Sequence, residues 1–200
     1  MLLGVKVDYL PARKMWISVR KERKSLKDII HNAKPQDKYF KKYSTTSGTP
    51  LPEDKIYKYA KQIVEGLNYL KTQKIPYYHL QTSNVFVDNN NVCKLSDFEN
   101  DLIGLSPKLK LFCSKYYDIV DPIVIEFATI LFEMSTGYEL DTPHLDYIPP
   151  GIPSKIKKVL SSIFSKNPEI RTLNDLSNIN FITDTKLYNE WVPQNVNILI

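Results

Sequence analysis

Ile56, Ala60, Ile63, Leu67 and Leu70 recur at alternating spacings of four and three residues. That spacing marks one face of an amphipathic helix about five turns long. Pro52 stands where a first-turn proline belongs, and Glu53 and Asp54 favour the positive end of the same helix. The most apolar stretch, Ile119 to Met134, is interrupted by Asp121, Pro122, Glu126 and Glu133. It falls short of the roughly 20 apolar residues of a membrane span. It predicts a buried helix over Pro122–Thr136, stopped by Gly137. Ser25, with Asp28 three residues later, predicts the start of a short helix through Ile29 and Ile30. Pro153 and Ser154 open another that runs to about Phe164, and a last short helix is expected around Leu173–Leu176.

The strand signals are fewer. Val85-Phe86-Val87 and Val92-Cys93-Lys94-Leu95 flank the turn Asn89-Asn90-Asn91 and predict a small hairpin. Lys6–Tyr9 and Met15–Val19, separated by Pro11-Ala12-Arg13, predict a second. Lys34 to Leu51 carries Pro35, Gly48, Pro50 and a Ser/Thr cluster and reads as a loop or partly helical insert; 143–153 reads as a Pro-rich loop. Strands that do not alternate regularly with helices predict an α+β fold dominated by helix, not a doubly wound parallel sheet.

Composition narrows the class. Two hundred residues, 42% apolar and 24% charged, suit one soluble globular domain with its own core. After Met1-Leu2-Leu3 come Gly4, Lys6 and Asp8, so no signal-peptide core develops. Cys93 and Cys113 form no CxxC and no histidine-flanked pair, which argues against a zinc site or a disulfide scaffold and predicts a reducing, cytoplasmic setting. Charge is uneven: residues 1–75 hold 17 Lys+Arg against 7 Asp+Glu, and the remainder 10 against 15. The basic run Arg13, Lys14, Arg20, Lys21, Arg23, Lys24 and Lys27 is a solvated surface or a patch for an anionic membrane or an acidic partner. The pI of 9.0 comes with no nucleic-acid-binding motif, so nucleic acid is not the expected partner.

The chemistry-bearing residues are clustered. A kinase catalytic loop reads H-R-D-L-x-x-x-N and is followed downstream by D-F-G. Tyr77-Tyr78-His79-Leu80-Gln81-Thr82-Ser83-Asn84 has that length, and Asp97-Phe98-Glu99 stands beyond the predicted hairpin. Leu67-Asn68-Tyr69-Leu70 resembles the end of the kinase helix before the loop. Ile130–Met134 with Thr136-Gly137 resembles the end of the central kinase helix, and Lys166–Thr172 the loop before the last helix. In order and spacing these pieces, covering roughly residues 15–182, resemble the C-terminal lobe of a protein kinase. The Pro76–Val85 loop, Asp97-Phe98-Glu99-Asn100 and Ala33-Lys34-Pro35 are similar to the PX-domain-containing kinase-like and slowpoke-channel-binding branch of that superfamily.

The resemblance implies a protein-kinase-like fold with a remnant N-lobe hairpin and hinge over 1–20, a C-lobe over 21–182 and a tail over 183–200. It implies a pseudokinase adaptor, cytoplasmic or peripheral to membranes, that works through protein partners in trafficking or channel regulation. The alternative is a weakly active serine/threonine kinase represented by a truncated chain. Phosphoryl transfer needs a positioning carboxylate, metal ligands and a lysine–glutamate pair over the phosphates. By resemblance, Asn84 and Asp97 fall at the magnesium–ATP positions, whereas His79 occupies the catalytic-aspartate position and cannot supply its charge. Glu99 replaces the glycine, and Ile123 the aspartate usual in the central helix. No G-x-G-x-x-G occurs among the six glycines, and no Ala-Pro-Glu follows the short segment that carries Tyr116 and Tyr117. Arg171, which would pair with that glutamate, is left to Asp118 or Asp121.

Overall fold

Burial of two helices decides the architecture. The computed structural model describes residues 2–6, 16–19, 24–34, 37–43, 47–97, 100, 104–110, 119–140 and 149–184. In chain order the elements are β1 (Leu2–Lys6), β2 (Trp16–Val19), β3 (Lys24–Ser25), α1 (Leu26–Ile30), α2 (Tyr39–Lys42) and α3 (Glu53–Thr72). A 3-10 turn (Thr82–Asn84), β4 (Val85–Val87), β5 (Cys93–Leu95), α4 (Pro122–Thr136), α5 (Ser154–Ile163), α6 (Leu173–Ser177) and α7 (Asn180–Thr183) follow.

The stripe predicted for α3 is buried: Ile56, Ala60, Ile63 and Leu67 line the core together with Tyr59 and Val64. Pro52 sits at the N-cap, one residue ahead of the first-turn position that its sequence context suggests, with its carbonyl accepting the Ile56 N–H at 3.0 Å. α4 is buried almost all round, as its composition demands. The Asp121 carboxylate caps it by accepting from the Ile123 N–H at 3.1 Å, and Gly137 ends it with φ 82°, a backbone state favourable for glycine. α3 packs against α4, β5, α6 and α7, and α4 against α5, whose Ile156, Val159, Leu160 and Ile163 face inward. α7, which carries no periodic signal of its own, delivers Phe181 onto Tyr57 with ring centroids 4.7 Å apart.

β3, β4 and β5 form one antiparallel sheet, with Val85 opposite Leu95 and Val87 opposite Cys93. Asp88 shapes the hairpin turn by accepting from the Asn90 and Val92 N–H groups at 2.8 and 3.0 Å. β1 and β2 pair separately, from Lys6↔Trp16 to Leu2↔Val19. The described part of the first strand, Leu2–Lys6, meets the expected Lys6–Tyr9 at Lys6 and begins four residues earlier; residues 7–10 lie outside the described residues.

The insert between α1 and α3 is pinned by one carboxylate. Asp28 completes a capping box with Ser25 and also accepts from Lys42 Nζ at 3.0 Å and Tyr43 Oη at 2.8 Å. Beyond it, Thr49 N–H donates to the Ile30 carbonyl and Leu51 N–H to the Met134 carbonyl, both at 2.8 Å, so the strand-like segment bridges the C-terminal ends of α1 and α4. Gly48 passes so close to Ile30 that a Cβ would collide with its carbonyl. Lys27 departs from the expected surface run: it is 6% exposed and ion-paired with Glu139. Helical geometry turns it inward, whereas Lys24, in β3, is exposed.

Two outcomes follow. Burial pushes the Asp28 carboxyl up, but hydrogen bonds from Tyr43, Lys42 and Ser25 outweigh it and hold it below its ordinary 3.8. A depressed folded value means the stabilisation is complete above the unfolded pKa and is lost as pH falls through the folded one. Asp28→Ala should destabilise the fold by about 2–4 kcal/mol at neutral pH and flatten the acid limb of urea-denaturation midpoints measured from pH 7 to pH 2. Gly48→Ala should lower the same midpoint by an amount equivalent to about 1–3 kcal/mol, through overpacking.

Candidate functional site

The loop after α3 is held by buried hydrogen bonds along its length. Tyr77 is buried, and its Oη donates to the Ser96 carbonyl at 3.0 Å, tying the loop to the end of β5. The Leu80 N–H donates to Glu126 Oε2 at 3.0 Å, and Thr82 Oγ1 donates to Glu133 Oε2 at 2.7 Å. Glu126 and Glu133 stand seven residues apart on α4, so one face of that apolar helix presents both carboxylates to the loop. Nε2 of His31, the residue after α1, lies 3.4 Å from the other oxygen of Glu133.

Asn84 closes the loop on itself. Its Nδ2 donates to the His79 carbonyl at 2.8 Å, its backbone N–H donates to Gln81, and its Oδ1 accepts from Ser83 Oγ at 3.1 Å. Ser96 then joins the two halves of the site. Its N–H and its Oγ reach the Asn84 carbonyl at 3.0 and 3.1 Å, and the same Oγ lies 3.2 Å from Asp97 Oδ2. The structure thus brings Asn84, His79 and Asp97 together. His79 and Asn84 are buried, and Asp97 is half-buried. Asp97 has φ 61°, in the left-handed region that an aspartate enters only at some energetic expense.

Burial pushes the Asp97 carboxyl above its ordinary 3.8, opposed by the Ser96 hydrogen bond and by the nearby His79. A single buried carboxylate and a carboxamide are oxygen donors of the kind magnesium takes. Among the described residues no group of three or more His, Cys, Asp or Glu could hold a metal ion. The donor set therefore fits magnesium only where nucleotide phosphates complete the coordination. When bound, such an ion would neutralise phosphate charge; the chain's own part is to fix the two donors through Ser96.

Several expected positions resolve differently. Ile123 is buried in α4, and the loop backbone is instead taken by Glu126, one turn later. Arg171 makes no carboxylate bridge to Asp121: its Nε donates to the Pro168 carbonyl at 2.6 Å, its own carbonyl accepts from the Asp121 N–H at 2.8 Å, and the Asp121 carboxylate is used as a cap. Phe98, Glu99, Cys113, Tyr116, Tyr117 and Asp118 lie outside the described residues, as do Arg13, Lys14, Arg20, Lys21 and Arg23. Sequence reasoning missed Tyr77, Ser96, Glu126 and Glu133. The signal for the last two was present: two acids seven residues apart in an otherwise apolar helix must be buried and must therefore have partners.

A helical lobe built round a Tyr-Tyr-His-Leu…Asn loop, with an aspartate at the end of the next hairpin, is the C-lobe arrangement of a kinase-like domain. The protein kinase domain model matches residues 15–117, and the chain belongs to that family. The probable inactive serine/threonine-protein kinase slob2 of Dictyostelium discoideum is 38% identical over 92% of this chain and 32% of its own length. The PX domain-containing protein kinase-like protein of Mus musculus is 34% identical over 72% of this chain and 25% of its own. The slowpoke-binding protein of Drosophila melanogaster is 35% identical over 60% of this chain and 24% of its own. The chain thus spans a third or less of the length of these curated relatives. Among the described residues no helix is long and apolar enough to cross a membrane.

The raised Asp97 value sets a sign. A carboxyl whose folded pKa exceeds its unfolded one subtracts stability above the folded value, and the penalty disappears as pH falls below the unfolded one. Asp97→Asn should therefore stabilise the ligand-free chain at pH 7, by about 0.5–1 kcal/mol, as changes at functional sites commonly do. The two proteins should converge in thermal midpoint as the buffer is taken toward pH 3.

Proposed function

We propose that this chain is a pseudokinase module that presents a rigid kinase C-lobe surface to protein partners and does not transfer phosphate. The observation that carries the reading is the division within one loop. The backbone frame from Tyr77 to Asn84 is retained by buried hydrogen bonds, while the position of the catalytic aspartate holds His79. A histidine can accept a proton, but it brings no negative charge to orient a substrate hydroxyl beside magnesium. A frame kept without its reacting group is what selection for shape rather than turnover leaves behind. The names of the relatives support this: two are called kinase-like or probable inactive kinases, and one a slowpoke-binding protein.

In this reading Asn84 and Asp97 are vestiges of the ATP–magnesium positions and hold no nucleotide, because no glycine-rich lid occurs in the sequence. The basic residues Arg13, Lys14, Arg20, Lys21, Arg23 and Lys24 supply a surface for anionic membranes, and the setting is cytoplasmic or peripheral to a membrane. A second reading is favoured by one observation, that the relatives are nearly three times as long as this chain. In it the chain is part of a weakly active serine/threonine kinase whose nucleotide lid comes from elsewhere in a longer product.

Thermal unfolding with ATP, with and without magnesium, separates the two. Binding at 100 times Kd stabilises a fold by about 2.7 kcal/mol. The module reading expects no magnesium-dependent shift in the folded chain. A shift that requires magnesium and disappears in Asp97→Asn would overturn it in favour of the kinase.

A further inference from the structure

We propose that residues 104–110 form a strap latched to the lobe by an ion triad, Lys27–Glu139–Lys108, and that ionic strength opens the latch. The strap follows Asp97 in the chain and is joined to it by backbone hydrogen bonds. Asn100 N–H donates to the Asp97 carbonyl at 3.1 Å, and Leu105 N–H to the Asn100 carbonyl at 3.0 Å. Its far end is fixed twice. Leu109 packs against the core, and Lys108 Nζ reaches both carboxylate oxygens of Glu139, at 2.9 and 3.0 Å.

Glu139 is shared. Its Oε1 also accepts from Lys27 Nζ, whose side chain is 7% exposed, while that of Lys108 is 49% exposed. The two ends of the triad therefore differ in kind. A buried ammonium must keep a partner, so Lys27 fixes Glu139 in place. An exposed ammonium on the same carboxylate is held only by a screened attraction, so Lys108 can leave at little expense. Lys27 also lies 4.9 Å from the Tyr43 ring centroid, and Asp28 next to it is already taken by Lys42 and Tyr43. Neither neighbour can relieve Glu139. The result is a fixed post and a releasable hook, and the hook belongs to the segment that leads back to Asp97. Burial pushes the Glu139 carboxyl up, but Lys27 and Lys108 outweigh it and hold it below its ordinary range, in keeping with the shared role.

Amide hydrogen exchange on the whole chain, read at residues 104–110 and at α4, tests the latch. Lys108→Ala should speed exchange in the strap about two- to five-fold, the range an exposed ion pair supports, and leave α4 protected as in the parent. Lys108→Arg should keep the parent rates. Raising ionic strength from about 50 mM to about 500 mM should speed the parent strap and leave Lys108→Ala unchanged. Glu139→Gln should release the strap and also lower the thermal midpoint, because Lys27 is left buried without its counter-ion. Equal strap exchange in Lys108→Ala and the parent would overturn the proposal. So would salt acting equally on both proteins, or loss of α4 protection together with the strap.

Discussion

Two carboxylates inside an apolar helix hold this lobe together. Glu126 and Glu133 are 2% and 5% exposed, on a helix otherwise filled with Ile, Val, Phe, Leu and Met. An acid in such a place is tolerable only when donors meet it, since an unpaired buried charge costs several kcal/mol. The donors are the Leu80 N–H and the Thr82 hydroxyl. The dependence is mutual. The loop has no regular secondary structure to satisfy its own polar groups until the 3-10 turn at Thr82, and the acids of α4 rely in turn on the loop's donors, with His31 Nε2 3.4 Å from the other oxygen of Glu133. The shape of the loop is thus a property of the core. Whatever happens at its surface, it cannot relax without exposing charge.

This explains how the frame can outlast the chemistry. Tyr77 ties the loop to Ser96, and Ser96 ties Asn84 to Asp97. None of these bonds uses the His79 side chain, whose backbone carbonyl alone is engaged by Asn84. The hydrogen bonds that frame the loop therefore do not depend on which side chain stands at the reactive position. What remains is a pair of oxygen donors, Asn84 and Asp97, the second held in a strained left-handed conformation with its charge disfavoured by burial. Strain and desolvation thus fall together on one residue, Asp97.

The sequence was informative where periodicity or capping chemistry is local. The α3 stripe, the apolar α4 with its stop at Gly137, the Ser25–Asp28 box and the Asn-turn hairpin each rest on a few adjacent residues, and each is found in the structure. Features that depend on distant partners were not legible. Lys27 belongs by sequence to a basic run, and only the packing of α1 against Glu139 removes it from the surface. Glu126 and Glu133 read as interruptions of an apolar stretch, because nothing nearby in sequence announces Leu80 and Thr82 as their partners. α7 has four residues and no period, and its place is set by the stacking of Phe181 on Tyr57. Arg171 and Asp121 do not pair, for the same reason. Asp121 was closer to a local task, capping α4, than to any distant cation.

The fate of Lys27 also changes the electrostatic argument. Once it is spent on Glu139, and Lys42 on Asp28, the positive charge around α1 is neutralised within the lobe. Internal pairs of this kind contribute little to the field felt several ångströms away, and a Debye length of about 8 Å at physiological salt removes most of the rest. By sequence, residues 1–24 hold seven Lys+Arg against Asp8 and Glu22, and residues 25–75, with Lys27, Lys42 and Asp28 set aside, hold eight against four, so the basic surplus is shared between the two stretches. From Tyr77 to Asn84 the loop after α3 carries no Lys or Arg, and its shape is fixed by two buried carboxylates, so salt at ordinary concentrations should leave it intact.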